Sequence, residues 1–210
     1  MIIPLNAEVT CVDGPGGSIV GVIVHRPSLQ VQQLVVKEKG FLFIDHLVPV
    51  SWLLNSSSRQ IELRCTGDEL SALEPSGELD GSLAAAMQYR YATWEYGVWP
   101  YPPTAFLNQR TRTHMAANEL MLSGRTQLKA LDGDVGHACE LAVDPETYRI
   151  MLVTFLGGHF WHLKHVTIPA VAIADVTEER ITVSLKRHSL AALLSIALPP
   201  YSRFSGKPTK

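Results

Sequence analysis

The sequence predicts an all-β protein built as two small β-barrels in tandem, each closed by a short helix and joined by an aromatic-rich connector. The first observation behind this is a diverged internal repeat, in which residues 7–73 run parallel to residues 126–193. An offset of 119 pairs Asp13, Gly14, Gly17 and Val24 with Asp132, Gly133, Gly136 and Val143. One extra residue near Gly157 moves the offset to 120, which pairs Pro49, Ile61, Leu70, Ala72 and Leu73 with Pro169, Ile181, Leu190, Ala192 and Leu193. Turn residues, apolar runs and the proline keep the same order with one gap, as in a duplicated supersecondary unit. The second observation is that the apolar runs in both copies are short, β-branched and bounded by Gly or Pro, which favours strands over helices. The expected division is a first domain over 1–73, a connector over 74–118, a second domain over 119–198 and a tail over 199–210.

Each copy opens with a glycine-containing turn, Asp13 to Gly17 or Asp132 to Gly136, followed by a strand over Ile19 to Val24 or Ala138 to Val143. Arg26-Pro27-Ser28 and Asp144-Pro145-Glu146-Thr147 supply the next turns, because proline presets its φ and Asp or Ser bonds the local backbone. The strands Val31 to Val36 and Ile150 to Phe155 come next, then Leu47-Val48-Pro49 and Thr167-Ile168-Pro169. Proline cannot donate into a ladder, so Pro49 and Pro169 belong at a strand end or an edge. The last strand, Gln60 to Cys65 or Arg180 to Leu185, alternates apolar and polar residues. A helical pattern follows over Asp68 to Leu73 or Ser189 to Leu193, each opened by a residue able to cap it. Six short strands in about sixty residues suggest a closed or nearly closed barrel, which removes exposed sheet edges.

Composition narrows the function classes. The 210 residues are 46% apolar and 18% charged, as in a folded chain, with a net charge of −2. That balance argues against nucleic acid as a partner, since such proteins carry a basic face. Cys11, Cys65 and Cys139 form no CxxC pair and are odd in number, so a reducing, cytoplasmic setting is expected, with the thiols acting as small buried hydrophobes. Cys11 and Cys65 end apolar stretches of the first repeat and would approach each other in a closed barrel. Met1-Ile2-Ile3-Pro4 lacks the basic start of a secretory signal. The longest apolar run, Leu190 to Leu198, is half of what a membrane helix needs. No transmembrane segment is therefore expected, and peripheral membrane association remains open.

The pattern Asp132 to Gly136, Val143 to Thr147, Ile150 to Phe155 and Val166 to Pro169 resembles the PRC-barrel family. That family is named for the cytoplasmic barrel of the photosynthetic reaction-centre H subunit, and its fold recurs in a ribosome maturation factor. The second copy matches across its length, whereas the first has His25-Arg26-Pro27 where the family favours Val-Asp-Pro. The resemblance implies a non-catalytic β-barrel adaptor or scaffold with no cofactor. It also leaves two further roles, one associated with ribosome or rRNA maturation and one as a peripheral membrane or electron-transfer accessory like the H subunit.

Three constellations invite chemistry. His159, His162 and His165, with His137 and Cys139 nearby in sequence, are candidate metal ligands, but strand alternation would put His162 on the opposite face from the other two. The expected reading is a polar hairpin without a metal. The loop Asp13-Gly14-Pro15-Gly16-Gly17 looks like an anion cradle but leads into a strand, whereas phosphate loops need a helix N-terminus. No nucleophile, base and orienting group fall in a recognisable catalytic arrangement. The connector is different: Tyr89, Tyr91, Trp94, Tyr96, Trp99, Tyr101 and Phe106 place seven aromatics within eighteen residues. Tyr and Trp contribute large contact areas with a polar handle and are favoured at interfaces. Trp94, Tyr96, Trp99 and Tyr101 are thus the candidate surface for a protein partner or for self-association, unless the rings fill the seam between the two barrels.

Overall fold

Short β-branched runs do form strands throughout the computed structural model, which describes residues 1–39, 45–73, 76, 115–157, 164–186 and 189–190. The Trp94, Tyr96, Trp99 and Tyr101 surface lies outside them, as do His159 and His162. The first sheet is built from β2 (Glu8–Cys11), β3 (Gly14–His25), β4 (Gln30–Glu38), β5 (Asp45–Pro49), β6 (Leu53–Ser56) and β7 (Gln60–Leu63), in the order β5-β4-β3-β2-β7-β6. The second is built from β9 (Gln127–Ala130), β10 (Gly133–Val143), β11 (Ile150–Gly157), β12 (Lys164–Pro169), β13 (Ile173–Val176) and β14 (Arg180–Val183), in the corresponding order β12-β11-β10-β9-β14-β13. Neighbours are antiparallel except for β2 with β7 and β9 with β14, which run parallel.

Each sheet takes its seventh strand from the other half of the chain. β1 (Ile2–Pro4) lies along β10, and β8 (Glu119–Ser123) lies along β3. Ile2, Ile3 and Pro4 oppose Ala142, Leu141 and Glu140, while Met121, Leu122 and Ser123 oppose Ile23, Val22 and Gly21. Every residue in one set sits 119 positions from its counterpart in the other. The exchange is therefore reciprocal, like an isologous dimer interface enclosed within one chain. Its interior is apolar: Ile3, Leu5, Val22, Leu122 and Leu141 are all essentially inaccessible and belong to one continuous core.

The long strands β3 and β10 make this possible. β3 gives one edge to β4; the other edge pairs with β2 through Gly14 to Ser18 and with β8 through Gly21 to His25. Register shifts at Ile19/Gly21 and Ile23/Val24 bend the strand, as bulges do. The expected turn over Asp13 to Gly17 is shorter than the sequence suggests: Val12-Asp13 turns, and the glycines enter β3. Gly17 is needed there for two reasons. Its φ is +140°, and a Cβ would fall on the Lys37 carbonyl oxygen of β4. Gly136 packs under the Leu156 carbonyl of β11 in the same way.

Pro49 and Pro169 end β5 and β12, and each is followed by a single 3-10 turn, Val50–Trp52 or Ala170–Ala172. The helix expected over Asp68 to Leu73 occupies Gly67–Ser71 (α1) and buries Leu70. Thr66 caps it, its hydroxyl accepting from Glu69 N while the Glu69 carboxylate accepts from Thr66 N, the reciprocal box that satisfies two orphan donors. In the second half Ser189 and Leu190 are helical, and Leu190 is likewise buried.

Candidate functional site

The two halves meet around two residues held in the left-handed region, Leu29 (φ 52°) and Tyr148 (φ 55°). Val31 N donates to Tyr148 O and Ile150 N to Leu29 O, so the turns grip each other reciprocally. Gln30 and Arg149, again 119 positions apart, bridge at the centre. Pro27, Ser28, Gln30, Thr147 and Arg149 line an open cleft of about 480 Å³ here. Its polar groups are engaged in the junction: Arg149 Nε donates to Ser28 O (3.0 Å) and Gln30 Nε2 to Thr147 O (2.8 Å). An exposed Arg26–Asp175 pair at 2.9 Å also crosses between the halves, and solvent leaves such a pair little energetic weight.

The thiols come together as their positions in the first repeat suggest. Cys11 and Cys65 are buried with their sulfurs 3.9 Å apart, as free thiols. Burial pushes the Cys11 thiol up to about 12, with Cys65 beside it adding to the effect, and burial also raises Cys65. Thiolate is the reactive form, so this pair is chemically quiet. The corresponding residues of the second half are Ala130 and Leu185, with the same backbone bond in each (Val12 N to Cys65 O, Leu131 N to Leu185 O). A small and a larger apolar residue suffice at this place.

Of His159, His162 and His165 only His165 falls among the described residues; it lies on β12, exposed, with Nδ1 3.9 Å from Cys139 Sγ, while His137 lies on β10. Cys139 donates to Thr154 O and its thiol is raised to about 11 by burial, with the Glu140 charge contributing. Among the described residues no three potential ligands cluster. The glycine loop is occupied from within: both Asp13 carboxylate oxygens accept from Gly67 N, at 2.9 and 3.0 Å.

One polar cluster escaped the sequence. Glu38, at the end of β4, accepts from Ser71 Oγ on Oε1 (2.8 Å), and its Oε2 lies 3.2 Å from His46 Nε2. His46 Nδ1 lies 3.2 Å from Leu73 O. Beside it Ser76 N donates to Asp45 O at 2.6 Å, while Asp45 Oδ1 and Ser76 Oγ are buried without a partner among the described residues. Burial raises the Asp45 carboxyl above its ordinary range, with Lys37 and then His46 partly offsetting it. The contacts run Ser71–Glu38–His46, with the carboxylate in the middle. Nucleophilic catalysis needs the imidazole on the hydroxyl, so this order does not activate Ser71. Nothing in residue spacing signals the cluster, because three separate elements supply it.

Among the described residues, the fold defines an all-β protein whose two like sheets lend each other a strand, with no helix long and apolar enough to cross a membrane. No protein-family profile matches the chain, and no curated protein matches it.

Proposed function

We propose that this chain is a non-catalytic adaptor of PRC-barrel type that binds another protein or a second copy of itself through its connector, with Trp94, Tyr96, Trp99 and Tyr101 making the contact. The observation that carries the reading is the aromatic density of residues 89–106, which holds seven of the sixteen aromatics of the chain. Amphipathic rings at that density favour a protein interface. The anchoring of the segment also supports it. Ser76, before the aromatic run, bonds to Asp45 of β5, and Asn118, after it, accepts from Arg26 N before the chain enters β8 on the first sheet. The described residues on both sides of the segment are thus fixed to the first sheet. The test is the Trp94→Ala/Trp99→Ala double variant, folded by circular dichroism. It is expected to lose its partner in affinity capture from native extract, or to drop in mass by light scattering. Unchanged capture and mass would remove the basis of the proposal.

A further inference from the structure

Two sulfurs meet in the first half of the molecule at a place where the second half has none. Cys11 and Cys65 are 8% and 2% exposed, and their Sγ atoms are 3.9 Å apart although the residues lie 54 positions apart in the chain. The parallel pairing of β2 with β7 brings this about: Thr10 lies opposite Glu62, and just beyond it Val12 N donates to Cys65 O. The backbones are therefore adjacent at the cysteines. A disulfide needs the sulfurs to close by about 2 Å, which side-chain rotation can supply.

The fold does not require sulfur here. Ala130 and Leu185 stand where the first half has the two cysteines, and Val135 stands where it has Gly16. A Cβ on Gly16 would lie 2.7 Å from Cys11 Sγ, so the bare glycine makes the room that the sulfur occupies. In the second half Val135 packs against the core beside the smaller Ala130. Large and small have changed places between the two positions, and a well-packed interior tolerates such volume-conserving exchanges. What the first half has in addition is a chemistry, that of two thiols in contact.

We propose that Cys11 and Cys65 form a reversible disulfide under oxidising conditions, a redox-sensitive staple that joins the end of β2 to the entry of α1. The oxidant is a small-molecule disulfide. One cysteine thiolate, exposed by local opening, attacks a sulfur of that disulfide. A mixed disulfide forms, the small S–S bond breaks, and the departing small thiolate takes up the cysteine's proton. The second cysteine thiolate then attacks the protein-side sulfur, forming the Cys11–Cys65 bond and expelling a second small thiolate, which takes up the second proton. Both cysteine sulfurs are oxidised, and the small disulfide is reduced to two thiols. The second step joins groups already held together, so it outruns escape of the mixed disulfide. Burial keeps both thiols protonated, and the Asp13 charge adds to the effect at each. The first step is therefore slow, and sustained oxidation rather than a brief pulse sets the staple. The staple is independent of whether the connector binds a partner.

The experiment incubates the full chain with excess glutathione disulfide in native buffer at about pH 8, then alkylates it in denaturant and maps its peptides by mass. A peptide pair linked through Cys11 and Cys65 is expected to accumulate, and dithiothreitol should return both as free thiols. The oxidised chain should unfold at a urea midpoint about 1 M higher than the reduced one, because the cross-link restricts the unfolded chain. Cys11→Ala, copying Ala130, should form no link and show no such rise, and any effect of Cys139 appears in this control. A link that forms only in denaturant, glutathione retained on Cys11 or Cys65 in place of the link, or a midpoint that does not rise overturns the proposal. These outcomes are read on the unaltered chain and decide it even if Cys11→Ala fails to fold.

Discussion

Asp144 and His25 hold equivalent places in the two turns at the junction and brace them with different chemistry. Asp144 accepts from Glu146 N (3.0 Å) and Thr147 Oγ1 (2.8 Å), and His25 Nδ1 lies 2.8 Å from Ser28 Oγ. Both turns then close alike, Tyr148 N to Asp144 O and Leu29 N to His25 O. The difference between the two repeats at this turn therefore changes the brace and keeps the turn. Hydrogen bonds from Glu146 N and then Thr147 hold the Asp144 carboxyl below its ordinary range. A lowered acid adds stability above the unfolded-state pKa, roughly 4, and loses it as pH falls through the lower folded value. Asp144→Ala should thus lower Tm most near neutral pH and least in strong acid; an equal loss at both would break the attribution. For the thiols the expectation is kinetic. Cys11 and Cys65 should react with a disulfide reagent at mildly alkaline pH only as fast as the protein opens, and quickly in denaturant. Their proximity was legible because both end apolar runs of one repeat. The Glu38–His46 contact was not, because a histidine in an apolar strand looks the same whether or not a carboxylate waits on the next one.

At the scale of elements, local chemistry was readable and partnership was not. The helical pattern from Asp68 marks α1, although its cap falls two residues earlier at Thr66, and the prolines mark strand ends. The strand exchange left no such mark. β1 has three residues and β8 five, and alternation says only that a segment is a strand with one buried face, never which strand it joins. The glycines do more than turn the chain: Gly17 and Gly136 stand where two strands approach too closely for a Cβ. Gly17→Ala combines an unfavourable φ with a backbone clash and should cost roughly 2 kcal/mol or more, measured by urea denaturation. A loss within about 0.5 kcal/mol would mean that β4 can move aside.

The whole molecule is two like sheets that cannot be completed separately, since the strand missing from each is encoded in the other half. Ile3 is fully buried against the second sheet although it directly precedes the first repeat, and Leu122 is its mirror. Units of about seventy residues are near the lower limit for independent folding, and here each also depends on an apolar face supplied from outside. Unfolding should therefore be a single cooperative event, with calorimetric and van't Hoff enthalpies equal. Truncating a buried Ile or Leu typically costs about 2–5 kcal/mol. Ile3→Ala should accordingly destabilise both sheets together, lowering the protection of amides in β4 as well as in β11. Because Ile3 contacts the second sheet through β1, a response confined to β10 and β11 would show that the halves unfold independently. A shared loss in β4 would show that the reciprocal exchange makes one cooperative unit of the two repeats.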